Sequence, residues 1–313
     1  MADVLISEFM DEPTADGLIA EYDVQLDRDL WSKPDALKAS IASARAIIIR
    51  NATQVTDDLL AAAPNLQVVA RMGVGLDNID LEACKARGVQ VCPSIGANAA
   101  SVAEYVIATA LILLRGPAYR STADVVGGTW DRPKFTSGVE IGGRTMGVIG
   151  FGSIGQVVAS KGRAMGMDII AYDAVMPDDA PAWDGARRVD LPTLIEQSDV
   201  VTLHCPLLPE TRDLIDAAAF KRMKPGAVLI NSARGGIVNE AACAEALKSG
   251  KLAGAALDTL DVEPINEATC ALFAGIENLI LTPHIAGVTL ESNRRIAEVA
   301  AETVRRVLGA PAS

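Results

Sequence analysis

Short apolar runs alternate along this chain with helix-length segments of mixed polarity. Val4–Ile6, Ala46–Ile49, 68–70 and 89–92 are β-like. The segments between them are long enough for helices, which predicts an α/β domain with a mostly parallel sheet. Segment 81–87 reads as one such helix, with Asp80 as its N-cap and Gly88 as its stop. Ala99–Arg115 is nearly all apolar, with Ser101 as candidate cap and Glu104 completing a capping box. A helix apolar all round is buried on every side, so the domain junction is placed here. Strand-like runs then resume at 145–149, 167–172, 200–203, 227–230, 253–257 and 279–281. They predict a second doubly wound sheet. The last helix, 290–308, starts after that sheet is complete and is expected to cross back to the first domain. The expected division is 1–98 plus 288–313 against 99–287, with a ligand cleft between the two bodies.

Gly150-Phe151-Gly152-Ser153-Ile154-Gly155 follows the run 145–149, and Asp173 closes the next strand, 18 residues past Gly155. The first glycine permits a tight strand-to-helix turn, the second admits a pyrophosphate, and the third lets helix and sheet pack closely. A helix starting near Ser153 aims its unpaired N–H groups at the phosphates. Twenty-six glycines in 313 residues produce such spacings by chance, so the strand before the motif and the acid after it carry the reading. Asp173 accepts hydrogen bonds from ribose hydroxyls and repels a 2′-phosphate, which favours NAD over NADP. Arg187 and Arg188 are the cations that would blur this preference by folding back. A second glycine pair, Gly73 and Gly75, lacks the third glycine and reads as a loop.

Half of the residues are apolar, and the net charge is −12. This balance disfavours nucleic acid and anionic membranes as partners, so an anionic substrate needs a local arginine cluster. The stretch 106–114, apolar but for Thr109 and bounded by Glu104 and Arg115, is too short to span a bilayer, and the N-terminus carries acids where a signal peptide needs bases. Five scattered cysteines and two histidines form neither a disulfide framework nor a metal site. A reducing cytoplasm is expected.

A nicotinamide enzyme needs a group that exchanges the substrate hydroxyl proton, and histidine suits that task. His204 and His284 both follow strands, at the edge where open α/β sheets bind ligands, so position alone does not separate them. Glu263, beyond the strand 253–257, is placed to meet His284 and to favour its imidazolium. Arg234 follows the strand 227–230, and its fork suits a substrate carboxylate and a carbonyl oxygen.

These segments, IIIRNATQV, RMGVGLDNID, SVAEY, GFGSIG, HCPLLPETR, NSARGGIVNE, ALDTLDVEP and LTPHIAG, together resemble the D-isomer-specific 2-hydroxyacid dehydrogenase family, in its phosphoglycerate-dehydrogenase-like branch. The resemblance covers almost the whole chain. It implies a Rossmann dinucleotide-binding domain, a smaller flavodoxin-like substrate domain, and NAD as hydride carrier. It further implies that Arg234, Glu263 and His284 form the catalytic set. Val74 and Gly75 offer backbone N–H groups to the substrate carboxylate. Gly150, Gly152, Ser153, Ile154, Gly155, Asp173, His204, Cys205, Pro206, Ser232, Ala233, Asp258 and Gly287 line the cofactor. Regulatory domains carried by longer members are not expected after the helix 290–308.

Arg50 and Arg71 follow strands of the first domain and Arg132 lies on the excursion 127–133, so a second substrate anion is expected. Met72, where similar enzymes have a small residue, is expected to reshape the pocket, to the detriment of 3-phosphoglycerate. The N-terminal stretch 4–12 and Met72 resemble the (S)-sulfolactate dehydrogenase subgroup. Sulfolactate and 3-phosphoglycerate therefore stand close together, ahead of hydroxypyruvate or glyoxylate. A homodimer through 114–133 is expected. The family also resembles NAD-responsive corepressors, but those tend to carry extra disordered tails, which are not expected here, so an enzyme is the expected reading.

Overall fold

The structure, a computed structural model, describes residues 2–309. Two compact units divide it. One runs from the N-terminus to Asn98 and resumes at Val288, and the other is Ala99–Gly287.

The first unit is built on β1 (Val4–Ile6), β2 (Val24–Leu26), β3 (Ala46–Ile49), β4 (Val68–Arg71) and β5 (Gln90–Pro93), all parallel, in the order β2-β1-β3-β4-β5. β1, β3 and β4 are buried at every position, which is why they read as continuous apolar runs. β2 escapes such a reading because it is a three-residue edge strand with an exposed centre. Asp80 caps the following helix by accepting from the Ala83 N–H, and Gly88 takes a positive φ of 70° beyond its end. The C-terminal helix Leu290–Leu308 packs on β3, β4, β5 and the helix Glu12–Ile19. Ile296, Ala300, Val304 and Leu308 recur every fourth residue on its buried face. Burying each of the larger ones is worth about 1.5–3 kcal/mol. Thr289 and Ser292 close a reciprocal capping box at its start.

The second unit holds β6 (Thr145–Ile149), β7 (Asp168–Tyr172), β8 (Arg187–Arg188), β9 (Val200–Leu203), β10 (Ala227–Asn231), β11 (Leu252–Leu257) and β12 (Leu279–Leu281). Their order is β12-β11-β10-β9-β6-β7-β8, and every pairing is parallel. This is the Rossmann topology, with its order reversing between β6 and β9. β8 consists of two exposed arginines, invisible to a search for apolar runs.

The helix Ala99–Arg115 differs from expectation in two respects. It begins two residues before Ser101, which therefore lies inside the first turn rather than at the cap. The strong helix formers Ala99 and Ala100 extend it backwards. Nor is it buried all round. Val102, Ala103, Val106, Ala110, Leu113 and Leu114 face the core against the helix Ser153–Ala164, β10 and β11. Ala100, Glu104, Ala108 and Ile112, spaced by four, form an exposed stripe. The stretch 99–126 has the length and hydropathy of a membrane span, but half of it is buried within the protein, as in a core helix.

Candidate active site

At the switch point of the second unit, β6 is followed by Gly150, whose φ is +88°. A Cβ there would come within 2.6 Å of the His204 carbonyl carbon, so this glycine lets the loops after β6 and β9 touch. A Cβ on Gly155 would overlap the Gly150 carbonyl oxygen, so its absence lets the helix start tightly beneath the strand. A Cβ on Gly152 would meet nothing within 4 Å, so the side-chain direction at this glycine is open space. The helix Ser153–Ala164 has no side-chain cap, and its first backbone bond runs from Gln156 N–H to Gly152 O. The N–H groups of Ser153, Ile154 and Gly155 thus have no partner among the described residues, the arrangement that suits a helix N-terminus to a phosphate group.

Asp173 stands at the end of β7 with both carboxylate oxygens engaged. Oδ2 accepts from the Phe151 N–H (2.8 Å), and Oδ1 accepts from those of Val175 and Met176 (both 3.0 Å). The carboxylate therefore ties the glycine loop to β7, and Oδ2 keeps the one remaining acceptor site. A single ribose hydroxyl fits it without rearrangement, a narrower role than acceptance from two. Arg187 bonds Gln197 and Arg188 pairs with Asp178 over the Trp183 ring, so neither folds back towards Asp173.

His204, Cys205 and Pro206 follow β9. Burial holds the His204 imidazole at about 3, and Nε2 is bonded to Thr202 Oγ1 at 2.9 Å. It is neutral at physiological pH. Burial likewise pushes the Cys205 thiol up to about 11. His204 Nδ1 and Ser232 Oγ are buried with no hydrogen-bond partner among the described residues, and Ala233 is buried beside Ser232. Orphaned polar atoms at the carboxyl edge of this sheet fit a bound dinucleotide.

Three neighbouring strand ends deliver Arg234, Glu263 and His284. After β10, buried Asn231 braces the loop, with Nδ2 donating to Arg234 O (2.8 Å) and Oδ1 accepting from Ala233 N–H (3.1 Å). Arg234 Nη1 donates to Ala233 O at 2.7 Å. Gly235 has no room for a Cβ, which would overlap the Leu260 carbonyl, and this close approach brings the arginine loop to the one bearing Glu263. Burial alone would raise the Glu263 carboxyl. The hydrogen bonds from His284 and Leu260 N–H, with the charges of His284 and Arg234, outweigh that and hold it below the ordinary carboxylate range. Its Oε2 lies 2.8 Å from His284 Nδ1, and both side chains remain about 40% exposed, accessible to a ligand.

His284 takes a left-handed φ of 56°, rare for a residue other than glycine. Asp258, 2% exposed, supports that turn. Its backbone oxygen accepts from His284 N–H (2.8 Å), Oδ1 from Ile285 N–H (2.8 Å), and Oδ2 from Ala286 N–H (2.8 Å). Thr282 Oγ1 donates its hydrogen to Asp258 Oδ1 (2.6 Å), so Tyr105 must donate to Thr282 Oγ1 (2.8 Å). Burial, eased by the Thr282 bond and reinforced by the Asp258 charge, pushes the Tyr105 phenol up to about 12. The Asp258 carboxylate thus secures the histidine loop, which ends at Gly287, the last residue of the unit. Asn231, Tyr105 and Thr282 were not among the residues singled out from sequence, because buried polar braces carry no local sequence signal.

In the first unit, Arg50 and Arg71 stand at the ends of adjacent strands, Ile49 pairing with Arg71. Arg50 Nη2 donates to Asn293 Oδ1 at 3.2 Å. Arg71 is 9% exposed, and its guanidinium folds over Gly73, where a Cβ would overlap it, with Nη1 donating to Met72 O at 2.9 Å. Val74 and Gly75 follow, half-buried. Met72 corrects one expectation. It is 3% exposed and packed in the core with Ile6, Met10, Ile48 and Ile296, so it does not reshape a pocket. Arg132 is exposed in the second unit, before the 3-10 turn Pro133–Phe135.

Residues 107–286 match the sequence profile described as "D-isomer specific 2-hydroxyacid dehydrogenase, NAD binding domain". The chain is 46% identical over 310 residues to the (S)-sulfolactate dehydrogenase of Chromohalobacter salexigens, covering 99% of both chains. It is 37% identical over 307 residues to the hydroxypyruvate reductase of Thermotoga maritima, covering 98% of both. The crystal structure of D-lactate dehydrogenase from Aquifex aeolicus, complexed with NAD and lactic acid, superposes with a TM-score of 0.83 at 28% identity, over 97% of this chain and 95% of that one.

Proposed function

This chain belongs to the D-isomer-specific 2-hydroxyacid dehydrogenase family and uses NAD, and within that frame we propose that it interconverts (S)-sulfolactate and sulfopyruvate. The observation that carries this reading is the pair Arg50 and Arg71 at adjoining strand ends, more cation than a single carboxylate needs. The likeness to a sulfolactate dehydrogenase points the same way.

Bound NADH supplies the hydride to the keto carbon. In this reading Arg234 holds the substrate carboxylate with its fork and polarises the carbonyl oxygen, with the Val74 and Gly75 N–H groups as further donors to the carboxylate. Arg50 and Arg71 receive the sulfonate. His284 has Nδ1 committed to Glu263, so Nε2 faces the substrate and delivers the proton to the new hydroxyl. Glu263, ionised well into the acid range, stabilises the imidazolium that must precede this step. Oxidation reverses each role.

The test is NADH oxidation with sulfopyruvate, 3-phosphohydroxypyruvate, hydroxypyruvate and glyoxylate in parallel. Sulfopyruvate is expected to give the highest kcat/KM, about 10²-fold above the uncharged-tail acids. The phosphorylated acid offers the same arginines a dianion, and its dominance would move the assignment to 3-phosphoglycerate. Dominance of hydroxypyruvate, the reading favoured by the Thermotoga maritima relative, would remove the second-anion site altogether.

The protein works as a homodimer of the reducing cytoplasm. Supporting this, the exposed stripe of Ala100, Glu104, Ala108 and Ile112 is followed by Tyr119 (63% exposed), Val126 (83%) and Trp130 (78%), large apolar side chains that call for a cover. All five cysteines are free thiols. Arg132 on the same segment is then offered to the partner's substrate. Light scattering is expected to give twice the chain mass; a monomeric mass would remove the dimer and that role for Arg132.

A further inference from the structure

In the first sheet the strand order turns back between β1 and β3, the point at which loops diverge and open α/β sheets receive ligands. Arg50 leaves β3 at that point, and Glu8 leaves β1. Glu8 is 5% exposed and spends its carboxylate on the arginine's backbone. Oε1 accepts from the N–H groups of Arg50 (2.8 Å) and Thr53 (2.9 Å), and Oε2 from that of Ala52 (3.1 Å). From the far side of the turn, buried Asn78 donates through Nδ2 to the carbonyls of Arg50 (3.0 Å) and Thr53 (2.7 Å). Both the donors and the acceptors of turn 50–53 are therefore clamped by side chains from two separate elements.

The guanidinium is directed as well. It bonds Asn293 and lies 5.8 Å above the centre of the Phe9 ring. Burial disfavours the charge on Arg50, and the Glu8 carboxylate partly offsets this. An arginine serving only solubility needs none of this apparatus, and burying a carboxylate costs stability unless its bonds are all made. Electrostatics alone would also argue against an acid beside an anion site, since it lowers the local positive potential. The carboxylate's contribution is therefore geometric.

We infer that Glu8 and Asn78 are positioning residues that set the direction of Arg50, and through it the selectivity for 2-keto acids bearing a second anion. The inference rests on the reading that Arg50 receives that anion. Displacing a binding group by about 1 Å costs up to about 10²-fold, so the effect is measurable.

The experiment compares kcat/KM for sulfopyruvate with that for glyoxylate in Glu8→Gln, Asn78→Ala and Arg50→Ala. Glu8→Gln keeps the Oε1 contacts but turns an NH2 group towards the Ala52 N–H. It is expected to lower the sulfopyruvate-to-glyoxylate ratio about tenfold, through KM for sulfopyruvate rather than kcat. Asn78→Ala should act in the same direction, and it serves as the test should the Glu8 variant fail to fold. A fall in the ratio for Arg50→Ala, with no change in either positioning variant, would overturn the brace and leave the second-anion reading standing. A tighter KM for sulfopyruvate in Glu8→Gln would also overturn it, by showing that the acid acts through charge alone. An unchanged ratio in Arg50→Ala would overturn the second-anion reading, and the brace with it.

Discussion

Replacing His284 with asparagine is expected to lower kcat by about 10²–10⁴-fold, the usual worth of a positioned acid or base, while NADH binding, read by fluorescence quenching, persists. Asparagine is the appropriate probe because it tolerates the left-handed backbone of this position (φ 56°), whereas a bulkier replacement would add backbone strain to the chemical loss. The matching change at His204 should leave turnover within about tenfold, since that imidazole is buried and neutral and does not form the imidazolium that a proton donor needs. Loss of turnover at 204 with survival at 284 would reverse the assignment. Glu263→Gln completes the test. Glu263 is held ionised below the ordinary carboxylate range, and glutamine keeps the length of the side chain while removing its charge. The change is expected to lower kcat for keto-acid reduction by about tenfold. An unchanged kcat would mean that the carboxylate only orients the ring.

Arg234→Lys is expected to lower kcat/KM by about 10²-fold, and Arg234→Ala by a further tenfold or more. The argument is geometric. The arginine loop is held by both ends of the Asn231 amide and docked through Gly235, which fixes the backbone from which the fork projects. Lysine keeps the charge but offers a single point, which cannot bind a carboxylate and polarise a carbonyl oxygen together. The loss should fall on kcat as well as KM. A Lys variant with wild-type kcat and only a weaker KM would mean that Arg234 anchors the carboxylate without touching the reacting oxygen.

The strands that matter for both sheets were legible because parallel strands buried on two faces are continuous apolar runs, as in β1, β3, β9 and β10. β2 and β8 were not, since short edge strands lack that signature. The glycine motif was readable for a different reason: each of Gly150 and Gly155 is dictated by a steric demand that no other residue meets. Glu263 and His284, 21 residues apart, could be paired because both follow strands and must emerge at one edge. What remained hidden was the support beneath them. Asp258 was singled out only as a cofactor contact; its bond to Thr282, and that of Thr282 to Tyr105 177 positions earlier, arise from tertiary packing that nothing local in the sequence marks. Met72 misled for the same reason. It precedes the Gly73–Gly75 loop as read, but which way its side chain turned depended on the core behind it.

Gly73 gives the Arg-Met-Gly-Val-Gly segment a meaning unlike that of the nucleotide motif it superficially echoes. The volume a side chain would fill there is occupied by the folded head of Arg71. The location of a positive charge is thus encoded by a missing carbon atom two positions downstream. Residue 71 and residue 73 are consequently a single steric unit: any larger residue at 73 would force the guanidinium of 71 to another position.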